Sequence, residues 1–69
     1  MELERIYELN DRKVEVYFVA DHAAKFNRDD FPKQGFYALT FLKDKLKGVW
    51  STPFNRFADA ESFAIEAIN

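Results

Sequence analysis

The sequence predicts an α+β fold: a mostly antiparallel sheet of about four strands, in two hairpins, with a C-terminal helix packed on one face. Three observations carry this reading. Blocks rich in β-branched and aromatic residues flank polar turn sequences; an apolar stripe of helical period runs through the last residues; and the chain is 48% hydrophobic and 17% aromatic without a single cysteine.

The first hairpin joins Arg5–Leu9 to Val14–Ala20 through Asn10-Asp11-Arg12-Lys13, a good turn sequence. Val14, Val16, Phe18 and Val19 favour an extended backbone. The segment from Glu2 to Leu9 also fits a helical face through Leu3, Ile6 and Tyr7. Strand is the better reading, because a hairpin supplies a partner and so short an isolated helix is marginal. Between the hairpins, Asp21 to Gln34 is polar. Asp21 can cap one helical turn through Ala23, Ala24 and Phe26, and the rest reads as a loop of the length at which loops often carry function.

The second hairpin is clearer. Gly35 opens Phe36-Tyr37-Ala38-Leu39-Thr40-Phe41-Leu42, apolar on both faces as a central strand should be. Lys43-Asp44-Lys45 turns the chain, and Leu46 to Ser51 returns. In residues 59–68, Ala60, Phe63, Ala64, Ala67 and Ile68 draw one stripe down a helix, with Asp59 as the expected N-cap and small alanines that allow a close approach to a sheet. Thr52-Pro53 offers an earlier start, with proline at the first helical position.

At 69 residues the chain is read as a single small α+β domain spanning 1–69. A domain of this size buries only about 60% of its unfolded surface, so it depends on its apolar content. That content argues against disorder, and the absence of cysteine excludes a disulfide scaffold. The first twenty residues carry eight charged side chains, so no apolar signal-peptide core is expected. The longest uncharged run, Gln34 to Leu42, is far short of the ~20 residues a membrane helix needs. The expectation is a soluble, cytoplasmic protein with no membrane partner.

Net charge is −2 but unevenly placed: residues 1–24 carry −3, residues 25–56 carry +4 and residues 57–69 carry −3. A dedicated nucleic-acid binder is usually far more basic. Catalysis finds little support. His22 is the only histidine and lacks an orienting neighbour, and Gly35 and Gly48 are isolated, so no phosphate-cradling loop exists. One histidine without cysteine does not make a zinc set, and Asp29-Asp30 lack the alternating ligands of a calcium loop. No enzyme activity, metal or cofactor is expected.

Two features point to binding. Lys43, Lys45 and Lys47 lie at spacing two on an extended ribbon, with Arg56, Tyr37 and Trp50 as candidate neighbours. Such a row can follow a phosphate backbone while a ring stacks on a base, or it can simply guard a strand edge. The second feature is surplus aromatic surface. Phe26, Phe31, Phe54 and Phe57 lie outside the clear strands, so either the loops fold back as a lid or some rings form a patch for a partner.

From Gly35 onward, a sheet leads into a helix opened by Phe57-Ala58-Asp59-Ala60-Glu61 and continued by Ala64. This resembles the small DNA-binding domains of plant Apetala-type factors and of phage integrase arms over about 35 residues at the level of topology. The resemblance implies a sheet face in the DNA major groove, lined by Arg and Trp. The present strands carry Phe, Leu and Thr in place of that arginine-rich pattern.

The leading expectation is a non-enzymatic binding module acting on a larger protein as an inhibitor or accessory factor. Its candidate contacts are Phe26, Phe31, Tyr37, Lys43, Lys45, Lys47, Trp50, Phe54 and Arg56. The alternative is nucleic-acid binding through the lysine hairpin. The ring content also predicts self-association, as a homodimer.

Overall fold

The computed structural model describes residues 1–42 and 48–69. Its elements are β1 (Glu2–Leu9), β2 (Arg12–Val19), α1 (Asp21–Ala24), β3 (Gly35–Leu42), β4 (Val49–Trp50) and α2 (Phe57–Ile68). The strands form one antiparallel sheet in the order β1-β2-β3-β4, and α2 packs across one face of it. The α+β arrangement expected from the sequence is the one observed.

In the first hairpin the turn shrinks to Asn10-Asp11. Asn10 takes a left-handed φ of 56°, which asparagine tolerates better than most residues. Arg12 and Lys13 therefore belong to β2, opposite Leu9 and Glu8. The strand expected from Arg5 reaches back to Glu2 across a bulge between Leu3 and Arg5. Pairing with β2 settles this segment as strand rather than helix.

In the second hairpin Leu46 and Lys47, expected in the return strand, lie outside the described residues; among those described, Val49 and Trp50 pair with β3. Beyond them Ser51 takes over from the ladder. Its N–H donates to the Ala38 carbonyl at 2.8 Å and its Oγ accepts the Ala38 N–H at 2.9 Å. Phe54 then exchanges two backbone bonds with Phe36, at 2.8 and 2.9 Å. Thr52-Pro53 is thus spent on reaching the sheet and does not open a helix. Gly35 permits that crossing: a Cβ there would stand 3.0 Å from the Phe54 carbonyl oxygen and 3.1 Å from the Pro53 Cβ.

Helix α2 starts two residues before the expected cap. Arg56 occupies the N-cap position, and Asp59 sits in the first turn, where its carboxylate suits the positive end of the dipole and pairs with Arg56 at 3.5 Å. The stripe is correct at its centre and wrong at one residue. Ala60 and Ala64 are fully buried against Val14, Val16 and Ala38, with Ala67 and Ile68 half-buried beside them. Phe63 lies off the centre line at 38% exposure, its ring 5.6 Å from that of Phe54. The two alanines claim the close contact, so the larger side chain is displaced to the flank. Phe57 supplies the ring expected from Phe63, 5.9 Å from Phe36.

Candidate functional site

Strand register divides the side chains between two faces. Tyr7, Val14 and Thr40 share the helix-covered face, as do Arg5, Val16 and Ala38. The opposite face carries the rows Leu3–Tyr17–Tyr37, Ile6–Glu15–Leu39–Trp50 and Glu8–Lys13–Phe41. Among the described residues no long helix covers this second face.

One end of it is closed by the segment after β2. Helix α1 is a single turn, and the chain beyond it folds back so that Phe31 is buried with Val19, Ala24 and Tyr37. The Phe31 ring meets Tyr37 at 5.1 Å and Trp50 at 4.9 Å, both edge to face. The Tyr37 hydroxyl donates to the Lys33 carbonyl and accepts the Lys33 N–H at 3.3 Å, so the loop is tied to the sheet through a buried ring. The Asp21 N–H donates to Gln34 Oε1 at 3.1 Å and draws the two ends of the loop together. Of the two outcomes left open for the aromatic surplus, a lid or an exposed patch, the loop forms the lid, with Phe31 beneath it. Of the twelve aromatic rings, only Phe26 and Phe63 are exposed.

The rest of the second face stays open. Leu3 and Ile6 on β1 are 47% and 46% exposed, and Tyr17, Leu39, Phe41 and Trp50 beside them are half-buried. Polar groups within this surface satisfy one another. Tyr17 donates its hydroxyl to Glu15 Oε1 at 2.9 Å, and Lys13 pairs with Glu15 at 3.6 Å while standing 4.9 Å over the Phe41 ring. Burial, and after it the hydrogen bond to Glu15, push the Tyr17 phenol above its ordinary value. On the helix side, burial and then Glu61 do the same to Tyr7, whose hydroxyl donates to Glu61 Oε2 at 2.6 Å. Arg5 reaches the same carboxylate oxygen at 3.2 Å.

The residues singled out in the sequence are distributed as follows. Phe31, Tyr37 and Trp50 come together, but Phe31 and Tyr37 are core and only Trp50 borders the open surface. Phe26 stands alone at 89% exposure on the loop after α1. Phe54 and Arg56 lie apart from that cluster, Phe54 packed on the helix side and Arg56 exposed beside Asp59. Lys43, Lys45 and Lys47 lie outside the described residues. The contiguous surface of Leu3, Ile6, Tyr17, Leu39 and Phe41 was not singled out. Its signal is alternation along β2 and β3 once the register is known, and the bulge that turns Leu3 to the same side as Ile6.

The surface offers contact area rather than reactive groups. His22 is exposed on α1, and among the described residues no three His, Cys, Asp or Glu side chains gather as metal ligands. Among the same residues no helix is long and apolar enough to cross a membrane. Comparison with protein-family models, curated proteins and solved structures finds no match.

Proposed function

We propose that this protein is a non-enzymatic binding module that acts on a larger protein, as an inhibitor or accessory factor, through the sheet face that α2 leaves uncovered. The observation that carries the reading is the exposure of Leu3 and Ile6, next to half-buried Tyr17, Leu39, Phe41 and Trp50. Large rings and aliphatic side chains set among a few satisfied polar groups are what interface centres are made of. The helix face offers less, because its apolar centre is already filled by Ala60 and Ala64.

The test is affinity capture from source-cell lysate, with and without nuclease, using the wild-type chain and the Leu3→Asp/Ile6→Asp variant. The reading expects a protein retained by the wild type, lost with the variant and indifferent to nuclease. Nuclease-sensitive capture, or retention unchanged by the variant, contradicts it. Sedimentation at tens of micromolar accompanies the experiment: an 8.1 kDa species leaves the face free, and a species of twice that mass that the variant returns to 8.1 kDa assigns it to a second copy.

A further inference from the structure

The sheet has two unequal edges. Among the described residues, β4 contributes two to the ladder at one end, while at the other β1 runs eight residues and pairs with β2 alone. Alternate residues of an edge strand turn their N–H and C=O groups outward, a ready template for another strand. Natural edges are guarded by charge and by bulges, and both devices occur on β1, but only over part of it. The bulge lies between Leu3 and Arg5, whereas Arg5 through Leu9 keeps a regular register with β2.

The charges on this edge are nearly all of one sign. Glu2, Glu4 and Glu8 have no ion-pair partner among the described residues, while the one cation of the strand, Arg5, is drawn to Glu61 on α2. Leu3 and Ile6 are 47% and 46% exposed between these carboxylates. Two copies joined edge to edge would set a strand of net charge −2 against its like, which the charges oppose.

We propose that β1 accepts an extended, cationic segment of the partner protein as a fifth strand, with apolar side chains lying over Leu3 and Ile6 and a basic one on the same face meeting Glu8. This rests on the protein-binding reading above and assigns the partner's chemistry at the edge of the same face. Main-chain hydrogen bonds give such a complex its affinity, and the side chains on either face give its selectivity.

The probe is a blocked twelve-residue peptide of the repeat Lys-Lys-Val-Val, which sets both residue types on each face of a strand, titrated into the full chain and followed by amide NMR. Its controls are the Glu/Val counterpart and a Lys/Val peptide N-methylated at every second residue. The expected result is shift changes and slowed exchange along Glu2–Leu9. Affinity should fall about tenfold or more with the Glu/Val peptide, with the N-methylated peptide and with the Glu4→Lys/Glu8→Lys chain. Those two glutamates are exposed, so that variant should stay folded, with only a small drop in melting temperature from the like charge set opposite Lys13. Equal binding of the two charge types, indifference to N-methylation, or no binding at about 1 mM overturns the proposal. Shifts confined to Leu39, Phe41 and Trp50 also overturn it, while leaving the open-face reading intact.

Discussion

The two faces of the sheet solve the same problem by different means. On one, a regular helix lays two alanines against Val14, Val16 and Ala38 and borders them with the rings of Tyr7, Phe36, Phe54 and Phe57. On the other, an irregular loop drives Phe31 between Tyr37 and Trp50 and stops there. A helix buries a stripe as long as itself, whereas a loop buries only what its one anchoring side chain can reach. The difference teaches where free surface is left in a small domain: beside the loop-closed cluster, not beside the helix.

The largest effects should come from the loop-closed side, if its few contacts are a true core. Tyr37→Ala removes a wholly buried ring and its bonds to Lys33, and should cost about 3–5 kcal/mol, enough to unfold a domain of this size. Phe31→Ala should cost about 3 kcal/mol by the same mechanism. Thermal and denaturant melts check both; small losses would mean that the loop merely rests on the sheet. On the helix side Ala64→Leu should overpack the contact with the strands and cost about 1–3 kcal/mol. Phe63→Ala should cost only about 1 kcal/mol, because the ring is displaced to the flank.

Two tyrosines compare the faces by pH. Tyr7 on the helix side and Tyr17 on the open side both have phenols raised by burial and then by a neighbouring glutamate. The unfolded phenols lose their protons near pH 10. The folded ones hold theirs to higher pH, so the contribution is complete below about pH 10 and is lost as pH climbs through the folded values. Stability should fall above pH 10, and Tyr7→Phe and Tyr17→Phe should each flatten part of that fall in denaturant melts at stepped pH. The smallest effect is expected at the bare surface, where Phe26→Ser should change stability by no more than about 0.5 kcal/mol.

What the sequence made legible was whatever repeats with a regular period. Both hairpins and the Ala60/Ala64 stripe follow from alternation, turn residues and helical spacing. Long-range packing was not legible. Nothing local shows that Phe31 enters a core while Phe26, five residues earlier, stays in solvent. Periodicity alone likewise ranks Phe63 with the alanines, although only residues at the centre of the stripe meet the sheet closely. The open surface was hidden for another reason. It is assembled from β1, β2, β3 and β4 together, and a single bulge decides that Leu3 and Ile6 point the same way.

A free open face requires Leu3 and Ile6 to be uncovered in the monomer while Val14, Val16 and Val19 are covered. Methyl NMR of the wild-type chain with a soluble paramagnetic relaxation agent measures this directly. The methyl groups of Leu3 and Ile6 should relax strongly, and those of Val14, Val16 and Val19, all fully buried, should be shielded, with no change on dilution. Shielding of Leu3 and Ile6 to the level of Val19 would contradict the account, because the face and edge assigned to a partner would already be occupied.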